Sequence, residues 1–341
     1  LEVESEEEDD ILSINVREKV SKKVSLNCEY IDIVYTWVNG SDPEWSKQRQ
    51  IAEKKYGIPY QGPWRYRDVM GLRYSMRSVR KHLPWVRHIF VVSAGQYPSW
   101  YNQTTLFEET GVSFIFHDEL FVNKSHLPTF QSSAIESNFY NLPERVSDCF
   151  IYMNDDIFYG NDVPMDDLYS PVKGQPLYYT GWLAPVDIET QKKNPFHACH
   201  AFTNDLMNSI WGVARRKYFS HGPSLMNKRM MKLIHDTFPA ALNNDSSMPF
   251  RHNQMVSCHF TYIHFANRFV VSYTGDEKLN YYGEIRDYVG HMEKLTADIM
   301  AKRPKFVCLN DGLPQRFNQS AVDTLEVMFE TLFPEKGSWE L

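Results

Sequence analysis

Several features common in other protein classes are absent from this chain of 341 residues. No run of apolar residues approaches the roughly 18 that a membrane-spanning helix needs. There is no excess of basic side chains: seven of the 43 acidic residues lie in the first ten positions, and the remaining acids match the 36 lysines and arginines in number. A neutral body argues against a general nucleic-acid-binding protein. The acidic opening predicts a disordered leader over residues 1–27, and residues 28–341 predict one folded domain.

The motifs of several enzyme classes are also missing. The five cysteines include no Cys-x-x-Cys pair, which argues against a zinc cluster, and their odd number allows at most two disulfides. The chain has no glycine-rich phosphate loop of the Walker or Rossmann type and no Gly-x-Ser-x-Gly elbow. These absences disfavour hydride transfer and serine hydrolysis.

Two observations concern the cellular compartment. The chain begins with Leu1 and shows no signal peptide, so we expect a fragment or a processed product of a longer protein. Glycosylation sequons favour the secretory pathway, although such short motifs also arise by chance. They occur at Asn39, Asn102, Asn123, Asn244 and Asn318.

Between Tyr30 and Phe158 the chain alternates apolar runs with amphipathic stretches. The apolar runs, rich in β-branched and aromatic residues, predict strands at Tyr30–Val38, His88–Ala94, Val112–His117 and Phe150–Met153. Helical spacing predicts helices near residues 72–83, 129–142, 223–238 and 323–333. This order predicts an α/β fold with a mostly parallel, Rossmann-like sheet flanked by helices. We expect the α/β core at about residues 30–180 and a mainly helical C-terminal portion at about 195–335.

The carboxyl ends of these strands carry the most informative residues. Ligands of parallel sheets bind beyond this edge, and the segment FIYMNDDIFYG leads from a buried strand directly into Asn154, Asp155 and Asp156. Adjacent carboxylates at such a position can hold a hard divalent cation that also bridges phosphate oxygens. A solvated turn or a helix N-cap is the plain alternative, and the pair alone does not decide between them.

Other charged residues also have two interpretations. Asp32 interrupts an apolar strand, so it is either a solvent-facing acid on an edge strand or a buried carboxylate that needs an arginine or a metal. Glu136, on the helix before the strand that ends at Asn154, is either a surface charge or a site residue. Arg73 and Arg77 lie one helical turn apart, so they either clamp a phosphate together or face water together.

Several segments, taken together, resemble one family: the Stealth phosphotransferases, which include an animal N-acetylglucosamine-1-phosphotransferase and bacterial capsule polymerases. The matching stretches follow in order from Ile31 onwards: IDIVYTWVNGSDP, LRYSMRSVRKHLPWVRHIFVVSAGQYPSW, SHLPTFQSSAIES, FIYMNDDIFYG, FRHNQM and KFVCLND. The resemblance implies a sheet like that of glycosyltransferase-A enzymes. It also implies transfer of a sugar-1-phosphate from a nucleotide sugar to an acceptor hydroxyl, with release of a nucleoside monophosphate and dependence on Mg²⁺ or Mn²⁺.

The same resemblance implies roles for individual residues. The implied catalytic residues are Asp32, Glu136, Asp156, His221 and Arg251, with the general base left open among His221, Glu136 and Asp32. Taken singly, such histidines are usually structural. The implied metal ligands are Asp155, Asp156 and Asp276, the last in a loop that departs from the family pattern. The implied substrate-binding residues are Trp37, Asn39, Arg73, Arg77, Gln96, His126 and Asn154.

The resemblance further implies UDP-N-acetylglucosamine as the donor and a mannose of N-glycans on a glycoprotein as the acceptor. The expected location is the Golgi or another secretory lumen, with a membrane anchor outside this chain. A homodimer is compatible with the resemblance, and no nucleic-acid partner is expected. Only about thirty residues separate VNGSDP from LRYS, where the animal enzyme has a long insert, so the donor and the selection of lysosomal enzymes stay open.

Three alternatives to this function stay open. The first is a hexose- or mannose-1-phosphate transferase that builds cell-surface phosphoglycan. The second is a metal-dependent glycosyltransferase that releases UDP, because strand-end acids on an α/β fold also serve that chemistry. The third is a non-enzymatic glycan-binding module, which gives no reason for acids to cluster at strand ends.

Overall fold

A computed structural model describes residues 10–59 and 66–341, so the first nine residues of the expected leader lie outside the described part. The strands are β1 (Ile31–Thr36), β2 (Ile89–Ser93), β3 (Val112–Phe116), β4 (Cys149–Asn154), β5 (Ile157–Tyr159), β6 (Gln175–Leu177), β7 (Tyr179–Leu183), β8 (Lys217–Phe219), β9 (Ser224–Asn227), β10 (Ser272–Thr274), β11 (Asn280–Ile285) and β12 (Phe306–Asp311). The α-helices are α1 (Pro43–Tyr56), α2 (Gly71–His82), α3 (Phe107–Thr110), α4 (His117–Leu120), α5 (Ser132–Glu136), α6 (Pro195–Trp211), α7 (Lys228–Thr237), α8 (Pro239–Ser247), α9 (Cys258–Phe269), α10 (Val289–Lys302) and α11 (Gln319–Leu332).

The principal sheet has five strands in the order β3-β2-β1-β4-β9. The first four run parallel to one another, and β9 pairs antiparallel at the edge. Every residue of β1 and β2 is buried. Strands covered on both faces are apolar throughout rather than alternating, which explains the continuous runs in the sequence. The predicted α/β fold, with a mostly parallel sheet flanked by helices, is confirmed.

The register of the central strands aligns their carboxyl ends. Thr36, the last residue of β1, pairs with Val92 of β2 on one side and with Asn154, the last residue of β4, on the other. Because these strands are parallel, the loops that follow them open on the same edge of the sheet. This edge is the one that carries the polar residues singled out in the sequence.

A second sheet begins immediately after the first. The chain leaves β4 at Asn154, turns through Asp155 and Asp156, and enters β5 at Ile157. Strand β5 pairs antiparallel with β12, which in turn pairs in parallel with β11. The register places Cys308 of β12 opposite Ile157. The two adjacent carboxylates therefore lie at the junction between the two sheets.

Two of the predicted helices are partly wrong. The helix predicted over 223–238 is strand β9 at Ser224–Asn227, and helix α7 begins only at Lys228. Strand β9 pairs with β4. Its backbone N–H and C=O groups therefore form hydrogen bonds with the sheet edge instead of within a helix, so tertiary context overrides the local pattern. The helix predicted over 129–142 is two short pieces, α5 and a 3-10 turn at Phe139–Asn141.

The folded body begins before the predicted boundary at Cys28. Ile11, Val24 and Leu26 are buried in the core, so residues 10–27 do not behave as the expected disordered leader. Cys28 forms a disulfide with Cys149 at the start of β4. No helix within residues 10–59 and 66–341 is both long and apolar enough to cross a membrane.

Candidate active site

A cleft of about 440 Å³ opens at the carboxyl ends of β1 and β4. Thr36 at the end of β1 and His117 just after β3 belong to its lining. Six of the residues predicted from the sequence line it together: Trp37, Asn154, Asp155, Asp156, His221 and Arg251. The convergence of strand ends therefore produces one shared site.

Four aspartates line this cleft: Asp68, Asp155, Asp156 and Asp311. Burial raises the pKa of Asp155 well above its ordinary value, and the charges of Asp68 and Asp156 raise it further. Burial likewise raises the pKa values of Asp68, Asp156 and Asp311. Like charges in a poorly solvated site oppose each other's ionisation, and a bound cation relieves that opposition.

Two of these aspartates, Asp68 and Asp311, are absent from the set predicted from the sequence. The Asp68 carboxylate accepts hydrogen bonds from Trp37 Nε1 at 2.9 Å and from the backbone N–H of Gly71 at 2.7 Å. Position 71 requires glycine for a steric reason, because a Cβ there would lie 2.2 Å from the Asp155 carbonyl oxygen. Two sequence features could have pointed to these aspartates. The glycine of RDVMGLRYS follows Asp68, and Asp311 is the acid that ends KFVCLND.

The carboxylate cluster fits a hard divalent cation. Asp156 Oδ1 is buried and has no hydrogen-bond partner within the described residues, and buried polar atoms are rarely left in that state. The oxygens of Asp155 and Asp156 are ligands that Mg²⁺ prefers. Asp276, the third predicted ligand, lies outside the cleft: its Oδ1 accepts from the Lys278 N–H at 3.0 Å at the start of a 3-10 helix. The structure therefore does not support Asp276 as a metal ligand.

Two arginines bring positive charge to the cleft. Arg251 is exposed there and makes no direct ion pair or hydrogen bond with any residue of the two described ranges. Arg67, which the sequence did not single out, lies with its Nε 3.5 Å from Asp311 Oδ2 and its guanidinium over the Phe317 ring. Arg251 is therefore the more available of the two for an anionic ligand.

Glu136 ends helix α5, whose Ser132 and Ile135 line the cleft. Its Oε1 accepts a hydrogen bond from the Tyr152 hydroxyl at 2.9 Å, and that hydroxyl lies 3.1 Å from Thr36 Oγ1. Burial raises the pKa of Glu136 to about 7, although the bond from Tyr152 opposes the rise. The surroundings of Glu136 therefore oppose its ionisation, next to the carboxyl ends of β1 and β4.

His221 lies exposed at the cleft and contacts a buried thiol. Its Nδ1 is 2.8 Å from Cys308 Sγ, which is 3.6 Å from Asp156 Oδ2. One polar atom from each of these three residues falls within 4.8 Å of the others. Cys308 is thus in contact with two of the residues predicted to act in the site.

Asp32, predicted to be catalytic, does not line the cleft, and its carboxylate is already paired. Arg87 donates two hydrogen bonds to its carboxylate, at 2.9 and 2.6 Å, and the backbone N–H groups of His88 and Ser147 donate two more. Asp32 is fully buried near the amino end of β1. It lies four residues before Thr36, which is roughly 13 Å along a strand from the cleft edge.

Arg73 and Arg77 do not reach the cleft either. Both bind the Glu340 carboxylate: Arg73 Nε at 2.6 Å, and Arg77 through Nε at 2.7 Å and Nη2 at 2.8 Å. Arg77 also donates to the Phe333 carbonyl at 2.7 Å. They point the same way, as their spacing predicts, but towards the C-terminal segment rather than towards a phosphate or water.

The remaining predicted substrate-binding residues lie beside the cleft rather than in its lining. Gln96 is buried and joins the loop after β1, accepting from the Asn39 N–H at 3.0 Å and donating to Asp42 Oδ2 at 2.8 Å. His126 Nδ1 lies 2.9 Å from Ser246 Oγ. In this structure Asn39, Gln96 and His126 organise loops, and Trp37 and Asn154 are the predicted contacts that line the cleft.

Comparison with known proteins shows to which family this chain belongs. Models of Stealth protein conserved regions 1, 2, 3 and 4 match residues 29–57, 65–177, 220–268 and 297–341. The four regions follow in order and cover well over half of the chain. The chain belongs to the Stealth family.

Curated Stealth relatives come from bacteria and animals. An exopolysaccharide phosphotransferase of Streptomyces coelicolor is 29% identical over 231 residues, 67% of this chain and 24% of that protein. Exopolysaccharide phosphotransferase CpsY of Mycobacterium tuberculosis is 25% identical over 315 residues, 91% of this chain and 58% of its own. The human N-acetylglucosamine-1-phosphotransferase subunits alpha/beta are 49% identical over 121 residues, 36% of this chain and 9% of that protein. The chain thus spans only part of the length of each relative.

Two of the solved structures that resemble this chain are named as glycosyltransferases. The bifunctional glycosyltransferase WbbM superimposes with a TM-score of 0.42 and 12% identity, over 93% of this chain and 53% of that one. The galactosyltransferase LgtC gives 0.40 and 13% identity, over 90% of this chain and 96% of that one. Both scores are low, and neither likeness bears on the chemistry of the cleft.

All four Stealth regions contribute to the cleft. Region 1 supplies Trp37, region 2 supplies Asp68, Asp155 and Asp156, region 3 supplies His221 and Arg251, and region 4 supplies Asp311. Segments more than two hundred residues apart in sequence therefore meet at one place, at the junction between the five-stranded sheet and the sheet of β11, β12 and β5. The four Stealth regions therefore meet in this one cleft.

Proposed function

We propose that this Stealth protein transfers a sugar-1-phosphate from a nucleotide sugar to a hydroxyl of an acceptor glycan, forming a phosphodiester. The observation that carries the proposal is the cleft in which four aspartates meet Arg251, which has no ion-pair or hydrogen-bond partner among the described residues. A cation on the acids and a free guanidinium are what a diphosphate donor needs for charge neutralisation. The phosphotransferase names of the Stealth relatives support the same reaction class. The catalytic unit is the whole folded body, since both sheets line the cleft.

The most specific form of the proposal is transfer of N-acetylglucosamine-1-phosphate from UDP-N-acetylglucosamine to a mannose of N-glycans, with release of UMP. It is supported by the 49% identity to the human N-acetylglucosamine-1-phosphotransferase subunits over 121 residues. The alternative is transfer of hexose- or mannose-1-phosphate to a cell-surface phosphoglycan. Relatives named exopolysaccharide phosphotransferases match a much larger share of the chain and support this alternative.

Asp155 and Asp156 would hold Mg²⁺ or Mn²⁺, with Asp68 and Asp311 close enough to raise the negative potential of the site. Such a cation neutralises the diphosphate of the donor when it is bound. Arg251 would bind the oxygens of the phosphoryl group as charge develops on them. Trp37 and Asn154 would contact the donor at the ends of β1 and β4.

The acceptor oxygen would attack the sugar-bearing phosphorus while the bond from that phosphorus to the bridging oxygen breaks. The nucleoside monophosphate leaves with the electron pair, and the acceptor hydroxyl gives up its proton to a base. We assign the base to His221, because its ring is exposed at the cleft, whereas Glu136 is bound by the Tyr152 hydroxyl. Glu136 would instead hold Tyr152 and the ends of β1 and β4 in place.

The proposed compartment is the Golgi lumen or another part of the secretory pathway. The Cys28–Cys149 disulfide supports an oxidising environment, and the five sequons agree with it. The partners proposed there are a nucleotide-sugar donor and a glycan or glycoprotein acceptor.

Released nucleotide is the decisive measurement. The purified protein is incubated with a panel of nucleotide sugars, Mg²⁺ or Mn²⁺ and a mannose-terminated glycan, and products are identified by mass spectrometry. We expect UMP and a phosphodiester from UDP-N-acetylglucosamine, and no product after chelation. Asp156→Asn and Arg251→Ala should abolish product, while the control Asp276→Asn, outside the cleft, should retain it. UDP as the released nucleotide would mean glycosyl transfer. Turnover in Asp156→Asn would contradict the role assigned to Asp156 in the reaction.

A further inference from the structure

Cys308 lies behind the lining of the cleft, in contact with two residues of the proposed chemistry. It is 1% exposed in strand β12, where pairing with β5 places it opposite Ile157, the residue after Asp156. Its Sγ is 2.8 Å from His221 Nδ1 and 3.6 Å from Asp156 Oδ2. The two contacts fall on one sulfur atom, so the thiol links the histidine to the carboxylate.

With Asp156 ionised, the hydrogen bonds of these three groups have one consistent assignment. An ionised carboxylate only accepts, and a thiol has a single proton to donate. With the thiol donating to Asp156 Oδ2, as the geometry has it, the sulfur is left to accept from His221 Nδ1. A neutral imidazole carries one N–H, so a proton on Nδ1 leaves Nε2 bare. Nε2 is the nitrogen free to face a ligand in the cleft.

We propose that Cys308 is a positioning residue: it holds the proton of His221 on Nδ1 and thereby keeps Nε2 ready to take the proton of the acceptor hydroxyl. The inference rests on the proposed function, in which His221 is the base. In the step it serves, the acceptor oxygen bonds to phosphorus, the bridging oxygen departs with the electron pair, and the hydroxyl proton moves to Nε2. The partner of a histidine's second nitrogen sets which nitrogen is free to react.

The chain contains a matched control for this thiol. Cys199 is also buried, and its Sγ lies 3.4 Å from His200 Nδ1. Neither Cys199 nor His200 lines the cleft. A buried cysteine that acts only by packing next to a histidine would behave like Cys199.

The test compares Cys308→Ala, Cys308→Ser and Cys199→Ala. Cys308→Ala should lower kcat by about 10- to 100-fold with little change in KM for the donor, as for other residues that orient a reacting histidine. Cys308→Ser keeps a donor and an acceptor at this position and should recover most of the lost kcat. Cys199→Ala should leave kcat unchanged. Thermal melting of each variant separates loss of activity from loss of fold.

The ring tautomer is a readout that packing alone would not move. In ¹⁵N NMR of the substrate-free protein, the His221 signal, identified by its loss in His221→Gln, should report a proton on Nδ1 in the wild type and on Nε2, at least in part, in Cys308→Ala. A wild-type proton on Nε2, or a folded Cys308→Ala with normal kcat, overturns the proposal. So does a folded Cys308→Ser as impaired as the alanine variant. If no donor is turned over, the proposed function fails while the tautomer measurement still decides the role of Cys308.

Discussion

At the residue scale, two aspartates have opposite roles: Asp32, which is fully buried in β1, and Asp156, which is half-buried in the turn after the neighbouring strand β4. Asp32 is compensated by Arg87 and two backbone N–H groups at the amino end of its strand. Asp156 stands among other acids at the carboxyl end, with one oxygen lacking any partner in the described residues. A compensated charge stabilises the fold, whereas an uncompensated one keeps a position ready for a ligand.

This contrast gives the first prediction. Asp32→Ala should lower the free energy of unfolding by on the order of 3 kcal/mol, because it leaves Arg87 and two backbone donors without their acceptor. The folded fraction should keep its KM for the donor. Asp156→Asn should do the reverse, abolishing transfer while the free energy of unfolding stays constant or rises. Urea denaturation and initial rates on the same preparations measure both, and a normally stable Asp32→Ala without activity would restore a catalytic role to Asp32.

Glu136 gives a prediction about pH. Its pKa is raised from 4.5 to about 7 by burial, so the folded state opposes its ionisation. A raised folded-state pKa contributes stability below pH 4.5 that is lost as the pH rises through about 7. Glu136→Gln cannot ionise at this position. The melting temperature of this variant should therefore rise relative to that of the wild type between pH 4.5 and about 7, and the difference should persist above about pH 7. Melting curves from pH 4 to 8 measure this; a gap that stays constant across the range would mean that the pKa is not raised.

At the element scale, helix α2 is fixed by the end of the chain. Arg77 is 4% exposed and binds both oxygens of the buried Glu340 carboxylate, which Arg73 also contacts. The start of the same helix packs Gly71 against the Asp155 backbone. Helix α2 therefore connects the C-terminal segment to the carboxylate cluster, and the two arginines act through the position of this helix.

Glu340→Ala should lower the free energy of unfolding by about 3 kcal/mol or more, because Arg77 would then be buried without its partner. The double variant Arg77→Met with Glu340→Ala should recover part of the loss, since no charge remains buried. Urea unfolding of both variants is compared with Glu335→Ala, an exposed neighbour, which should unfold like the wild type. Equal losses in the single and double variants would show that charge burial is not the cause.

At the scale of the whole molecule, the Cys28–Cys149 disulfide joins the N-terminal segment to the start of β4 across 121 residues of sequence. A cross-link over so long a loop restricts the unfolded chain strongly. The double variant Cys28→Ala with Cys149→Ala should lose about 2–5 kcal/mol of unfolding free energy. Urea unfolding of the wild type with reductant should fall to the value of this variant, and an unchanged midpoint would contradict the prediction.

Local patterns were sufficient where neighbouring residues decide the structure. The apolar runs at 30–38, 88–94 and 112–117 became parallel strands, because strands buried on both faces need apolar residues at every position. The acids after β4 line a cleft, because the carboxyl ends of parallel strands open on one edge. The strand at Ser224–Asn227 was not predictable from its own residues, since its partners in β4 lie 72 to 78 residues earlier in the sequence.

The sequence by itself determined the sheet, its direction and the presence of Asp155 and Asp156 at its carboxyl edge, because these depend on apolar pattern and chain order. Only the tertiary structure decided which charges are already paired. Asp32 pairs with Arg87 and Arg77 pairs with Glu340, whereas Arg251 has no such partner within the described residues. It also brought Asp68 and Asp311 to the cleft, and Cys308 into contact with His221, from distant segments. A charge acts in a site or in the fold according to its neighbours in space, and sequence spacing does not reveal these.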